Sequence, residues 1–275
     1  MNVAVIVPAA GSASRYQAAG AVRHKLDEDL GGKPVLQRTI EAFTKYDSDE
    51  FSIGPILVAG PHDADEFAQF KERHLDRLGL LGARLVRGGR THRWETVAAA
   101  LGELPAGDGL VAIHDGARPC MTHDLLDRVL RAARRFGAAV PAVPASDTIK
   151  RVLEADAEPE EQDRAASILG LAPAAAGPQK FVAGTVPRTG LMLAQTPQVF
   201  KRSLLVAAYA RVAGSPTDDA EVVEAFLAGS GETSRIAIVE GSPRNIKITL
   251  PADLALARNI LGHREPEGKP AHKRF

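Results

Sequence analysis

The sequence predicts a doubly wound α/β fold: a mostly parallel sheet with helices on both faces, and an arm that leaves it. Three observations predict this. Short β-branched runs alternate with longer stretches of helical period. The runs are apolar throughout rather than alternating, as expected when helices cover both sheet faces. A turn of small residues follows the first run, where open α/β sheets place their ligands. At 275 residues the chain fits one such domain with an elaboration.

The first half supplies strands at Val3–Val7, Ile56–Ala59, Arg84–Val86, Leu110–Ile113 and Ala138–Val143. Between them lie helical patterns around Val35–Thr44, Ala64–Leu75, Trp94–Leu101 and Leu125–Phe136. After Lys150 the pattern changes. Glu154 to Lys180 is rich in Glu, Ala and Pro with little periodicity, and reads as an exposed insertion within an arm spanning about 147–188. The core resumes with helices at Ser203–Arg211 and Asp219–Leu227, then strands at Ile236–Val239 and Ile246–Thr249 and a closing helix at Ala252–Leu261. These make one domain over residues 1–261. The charged tail Gly262–Phe275 reads as frayed.

Composition narrows the function. Lys plus Arg equals Asp plus Glu at 34 each, so no long-range field recruits nucleic acid or an acidic membrane. Cys120 is the only cysteine, which excludes an intramolecular disulfide and points to a reducing cytoplasm. The opening run Val3–Val7 is short and lacks a basic flank, so it reads as a strand rather than a signal peptide. No apolar run approaches the about 18 residues that a membrane span needs, and a soluble protein is expected.

The turn after the first strand is Ala9-Ala-Gly-Ser-Ala-Ser-Arg15. Small side chains at Ala9, Ala10, Gly11 and Ser12 let backbone N–H groups approach phosphates, and Arg15 adds a forked cation. The stretch lacks the further glycines of a dinucleotide fingerprint and the terminal Gly-Lys-Ser/Thr of a P-loop. Its continuation through Lys25 to Gly32-Lys-Pro-Val-Leu36 resembles the opening of the sugar-phosphate nucleotidyltransferases. Such enzymes need basic side chains because negative charge accumulates on the α-phosphate during transfer.

Later segments resemble one family: Gly88-Gly89 with Arg93-Trp-Glu-Thr-Val97, His114-Asp-Gly-Ala-Arg-Pro119, Val143–Lys150, Val186–Leu191, Gln195-Thr-Pro-Gln198, Thr217-Asp-Asp219 and Asn245–Thr249. In this order they resemble 2-C-methyl-D-erythritol 4-phosphate cytidylyltransferase, over about Val3 to Ala257 apart from the insertion. The resemblance implies a Rossmann-like nucleotidyltransferase fold with a dimerisation arm. It implies transfer of CMP from CTP to a polyol phosphate, with Mg²⁺, in a homodimer whose active sites are shared.

Carried over by position, Arg15 and Lys25 would stabilise the transition state on the phosphates. Gly88, Gly89 and Thr96 would recognise cytosine and ribose. Asp115 would lie near Mg²⁺ and the ribose, since hard cations take carboxylate oxygen. Lys247 would hold the acceptor phosphate, with Arg118, Thr148 and Arg188 as further acceptor contacts, the last two from the neighbouring subunit's arm. His114 has no second ligand at metal-binding spacing and reads as structural; Cys120 reads as packing. The acceptor phosphate is already anionic, its second pKa being about 6, so no general base is required.

The chain departs from the family in four places. Ala13 stands where a glycine is usual, and His24-Lys25-Leu26 where Pro-Lys-Gln is usual. Gly89-Arg-Thr-His-Arg93 is one residue longer, and Arg244 stands where an aspartate is frequent. Alternative readings are a cytidylyltransferase for ribitol 5-phosphate and a non-catalytic nucleotide-sensing module.

Overall fold

A computed structural model describes residues 1–155, 179–230 and 236–263. Most of the expected 154–180 insertion and of the expected tail lies outside these residues. The chain divides into two units, Met1–Val143 with Ala194–Phe275, and Pro144–Leu193.

The larger unit opens with β1 (Asn2–Pro8), a five-residue helix α1 (Ser14–Ala18) and α2 (Val35–Thr44). Then follow β2 (Ser52–Gly60), α3 (Ala64–Gly79), β3 (Ala83–Arg87), α4 (Arg93–Gly102), β4 (Leu110–Ile113), α5 (His123–Phe136) and β5 (Ala138–Pro144). The smaller unit contributes β6 (Ile149–Ala155) and β7 (Gln179–Val186), and β8 is Met192–Ala194. The chain closes with β9 (Gln198–Lys201), α6 (Arg202–Tyr209), α7 (Asp219–Ser230), β10 (Ala237–Glu240) and α8 (Pro251–Ile260).

Seven strands of the larger unit run in the order β10-β5-β9-β4-β1-β2-β3. The pairs β1–β2, β1–β4, β2–β3 and β5–β10 are parallel, as predicted. The exception is β9, antiparallel to both β4 and β5. The sequence does not predict it, because four residues after a proline are too few for a period to show. The order reverses at β1, whose neighbours are β2 on one side and β4 on the other. That reversal opens a crevice at the carboxyl ends of β1 and β4.

Alternate residues of β1 explain its unbroken apolar character. Val3, Val5 and Val7 join one core with Leu36, Ile40 and Phe43 of α2 and Leu125, Leu126 and Val129 of α5. Ala4 and Ile6 join the other, with Val97 of α4 and Leu205 of α6. Helix ends are capped by local chemistry. Asp63 accepts from the backbone N–H groups of Asp65 and Glu66 at 2.9 and 3.0 Å, and Thr122 accepts from Leu125 at 3.2 Å. Gly137 ends α5 in the left-handed conformation, φ 91°.

Residues Ile246–Thr249, expected as a strand, form none. They are a loop in which the Ile248 N–H donates to the Ala117 carbonyl and the Thr249 N–H to Asp253 Oδ2, each at 2.8 Å. Ile248 is fully buried, which gave the segment its strand-like signal.

In the smaller unit β6 and β7 pair as an antiparallel hairpin whose strands lie on either side of the expected 154–180 insertion, a pairing that the sequence does not predict. Its strands are exposed, with Val152, Leu153, Phe181 and Val182 between 48% and 65% accessible. The sequence offers no burial period here because, among the described residues, the side chains of β7 are exposed on both faces. No helix among the described residues is long and apolar enough to cross a membrane.

Candidate active site

The crevice at the β1–β4 switch point is a cleft of about 210 Å³. Pro8 to Gly11 line one wall, Lys25 and Leu26 a second, Gly89 to Arg93 with Thr96 a third, and Asp115 to Ala117 with Lys247 the floor. Pro8–Gly11 and Asp115–Ala117 follow strands β1 and β4, Gly89–Arg93 leads from β3 into α4, and Lys25 and Lys247 stand on the loops before α2 and α8.

The loop after β1 is anchored by the Ala9 N–H, which donates to the Ala59 carbonyl at 2.7 Å. Ala13, at the start of α1, adopts φ 55° and ψ 27°, the left-handed region. That conformation costs an L-residue about 1–2 kcal/mol and a glycine nothing, which accounts for glycine being usual there. His24 ties the loop to the Lys25 segment. Its Nε2 donates to the Gly11 carbonyl at 2.8 Å while Nδ1 accepts from the Leu26 N–H at 3.3 Å.

Two glycines after β3 are required by space. A Cβ on Gly88 would meet the Gly60 carbonyl oxygen at 2.5 Å, and one on Gly89 would meet Glu95 Cβ at 2.1 Å. The lip beyond them, including the extra residue, is held by Glu95, whose Oε2 accepts from the N–H groups of Thr91 and His92 at 2.7 and 3.1 Å. Thr96 is buried, and its hydroxyl accepts from the Gly89 N–H at 3.2 Å.

Asp115 is the electrostatic centre. Its Oδ2 lies 2.9 Å from Lys247 Nζ and 3.4 Å from Arg118 Nε; its Oδ1 lies 3.6 Å from Arg93 Nε. Burial alone would raise this carboxyl's pKa. Arg93, Lys247 and Arg118 outweigh burial and hold it far below the usual carboxylate range, so it is ionised. Lys25 is held below the ordinary lysine value, first by burial, then by Lys247 and Arg15, against the pull of Asp115.

His114 stands behind this cluster and is fully buried. Desolvation pushes its pKa down to about 4, so the ring is neutral. Nε2 faces the Arg118 carbonyl at 3.0 Å and must donate; Nδ1 then accepts from the Thr196 hydroxyl, also at 3.0 Å. Thr196 Oγ1 in turn accepts from the Asp115 N–H at 3.0 Å. The histidine therefore fixes a threonine that fixes the aspartate, with no ligand role. Asn245 completes the support: its Nδ2 donates to the Thr196 carbonyl at 2.8 Å, and its carbonyl accepts from Arg118 NH1 at 2.7 Å.

The sequence profile of the 2-C-methyl-D-erythritol 4-phosphate cytidylyltransferase family matches residues 3–181 and 158–263. The chain belongs to that family. It is 36% identical over 270 residues to the cytidylyltransferase of that name from Geobacillus thermodenitrificans, covering 97% of this chain and 100% of the relative. It is 34% identical to a bifunctional IspD/IspF enzyme from Desulfotalea psychrophila, where the match takes in 94% of this chain and spans 57% of the relative's length. Among solved structures, the Thermus thermophilus 2-C-methyl-D-erythritol 4-phosphate cytidylyltransferase superposes with a TM-score of 0.64 at 32% identity, over 94% of this chain and 98% of that one.

Of the family positions read from the sequence, Ala9, Ala10, Gly11, Lys25, Gly89, Thr96, Asp115 and Lys247 line the cleft. Gly88 is buried directly beside it, and Arg118 pairs with Asp115 from behind. Ser12 and Arg15 are not among the lining residues, and Arg15 is exposed. Thr148 and Arg188 belong to the smaller unit, where both are exposed and Arg188 donates to the Ser146 carbonyl. Arg244 is turned away: its NH2 donates to the Ile260 carbonyl at 2.9 Å, at the end of α8.

Arg93 and Asp219 fall inside the family segments of the sequence, which assigns them no task. Arg93 NH1 lies 2.7 Å from Asp219 Oδ2, an ion pair without hydrogen-bond alignment, and Asp219 Oδ1 accepts from the Tyr209 hydroxyl at 2.6 Å. An acidic pair opening a helix was the available signal, but its basic partner lies more than a hundred residues earlier.

For a divalent cation the cleft offers one carboxylate. Among the described residues no three His, Cys, Asp or Glu side chains come together. Oδ1 of Asp115 has only the looser Arg93 contact, at 3.6 Å, and suits a hard cation that takes its other ligands from phosphates and water.

Proposed function

We propose that this chain transfers the CMP moiety of CTP to 2-C-methyl-D-erythritol 4-phosphate, releasing pyrophosphate. The observation that carries the reading is the convergence of Lys25, Lys247, Arg93 and Asp115 beneath the backbone of Ala9–Gly11, in a family member. A phosphate oxygen of the acceptor forms a bond to the α-phosphorus of CTP as the α–β bridging bond breaks, and the electron pair leaves on pyrophosphate. The acceptor is already anionic, so the protein's task is positioning and charge neutralisation. Lys25 neutralises the triphosphate, while Lys247 draws the acceptor phosphate alongside it; a part for Arg15 on the phosphates rests on the resemblance alone. A Mg²⁺ ion would be held by Asp115 and the nucleotide's own phosphates, and would supply further charge neutralisation there. Gly88, Gly89 and Thr96 receive the cytosine and ribose.

Pyrophosphate release from CTP, measured with 2-C-methyl-D-erythritol 4-phosphate and with ribitol 5-phosphate in separate reactions, tests the proposal. Turnover is expected with the first. Turnover with the second alone, or with neither, overturns it. Nucleotide choice is a further expected outcome. A pocket walled by glycines that no side chain can replace fits a pyrimidine, and the cytosine amino group needs partners that other bases leave unpaired. CTP should exceed UTP, and both should far exceed ATP and GTP; equal rates with a purine triphosphate would remove cytosine recognition from this wall.

We further propose a cytoplasmic homodimer joined through the arm. The hairpin's exposed Val152, Leu153, Phe181 and Val182 support it, since an isolated two-stranded hairpin is marginal in water and a second copy would cover this surface. The acceptor roles of Thr148 and Arg188 rest on the resemblance alone. Sedimentation should show a dimer, and Phe181→Ser combined with Val182→Ser should release monomers. A wild-type protein that sediments as a monomer would refute the pairing.

A further inference from the structure

We infer that Asp219 is a positioning residue for the reaction, acting through Arg93 to keep the Asp115 carboxylate available to the nucleotide. The inference rests on the proposed function for what Asp115 receives. Its grounds are geometric. Asp219 has no exposure and does not line the cleft, so it touches no substrate. It is the first residue of α7, and its two oxygens are divided between Tyr209 at 2.6 Å and Arg93 at 2.7 Å. Arg93 opens α4, lines the cleft, and also reaches Asp115 at 3.6 Å.

The guanidinium therefore stands between two carboxylates and is drawn close to only one. A fully buried carboxylate is costly unless paired, so the short contact belongs to Asp219. Around Asp115 stand three cations, Lys247, Arg118 and Arg93, and the charge of Asp219 offsets one of them from behind. Remove that charge and nothing holds Arg93 back. Its Nε contact to Oδ1 of Asp115 would close into a tight pair, occupying the oxygen with the least engaged neighbour. Burial acts to lower the Arg93 pKa, yet Asp219 and then Asp115 raise it above the ordinary arginine value, in keeping with a cation shared by both. Tyr209, the last residue of α6, fixes the carboxylate's other oxygen and so its direction.

A double-mutant cycle tests this on the full chain, with Asp219→Asn, Arg93→Gln and the pair together. Each protein is read by kcat/KM for CTP turnover and, separately, by the Kd for CTP in the presence of Mg²⁺ from calorimetry; melting temperatures check folding. Asp219→Asn should lower kcat/KM about tenfold or more and weaken CTP binding, yet cost less than about twofold once Arg93 is already Gln, because coupled residues are non-additive. If Asp219→Asn costs the same in both backgrounds, its role is structural and the inference is overturned. Should Asp219→Asn not fold, Tyr209→Phe takes its place in the cycle, with a severalfold effect that also disappears beside Arg93→Gln. A wild type that binds CTP but turns over no acceptor would refute the proposed function, while the cycle in CTP binding still decides the positioning role.

Discussion

Lys247→Ala and Lys25→Ala are each expected to lower kcat by about two orders of magnitude or more while the fold survives, as when a preorganised charge-stabilising donor is deleted. Lys247 lies on the loop before α8, with its Nζ 2.9 Å from the carboxylate at the cleft floor. That contact presents its ammonium to any phosphate bound above Asp115. Lys25 faces the same space from the opposite wall and is partly desolvated, which strengthens its field on a phosphate. Neither side chain belongs to a helix, strand or apolar core, so truncation opens no cavity. The losses should fall mainly on kcat, because charge on the α-phosphate peaks in the transition state. A well-folded variant with wild-type kcat would remove that lysine from the chemistry.

How legible these features were depended on how local their causes are. The parallel strands could be read because burial on both faces leaves unbroken apolar runs, as Val3–Val7 and Leu110–Ile113 show. The limits of helix α2 are legible because Val35, Leu36, Ile40 and Phe43 repeat on one buried face. What failed was governed by distant partners. Strand β9 is antiparallel because of where β4 and β5 lie, and nothing within its four residues encodes that. Ile248 is buried by tertiary contact, and its loop looked like a strand for that reason. At the site, positions carried by short motifs were found, including Lys25, Asp115 and Lys247. The supports were not: Thr196, Asn245 and Asp219 act on residues 81 to 127 positions away, and no spacing rule spans that interval. Arg15 was expected on the phosphates and lies exposed on α1, near enough to Lys25 to lower its pKa.

Asp115→Asn is expected to impair catalysis and stability together, and the two effects separate by pH. The amide keeps the shape of the carboxylate but not its charge. Arg93 retains Asp219, whereas Lys247 and Arg118 lose their anionic partner in a confined site. Leaving such cations uncompensated should cost about 3 kcal/mol at neutral pH, by analogy with other broken buried pairs. The same change removes the cleft's carboxylate and should lower kcat/KM by about a hundredfold. The sign of the pH dependence follows from the direction of the shift. Asp115 is held below its unfolded pKa of about 3.9, so its contribution is fully present above that value. It is lost progressively as the pH falls toward the depressed folded pKa. Urea unfolding of both proteins should show the wild-type advantage undiminished from pH 7 to pH 5 and shrinking below about pH 4. Equal stability at pH 7, or an advantage that grows in acid, would mean that the cations around Asp115 do not depend on its charge.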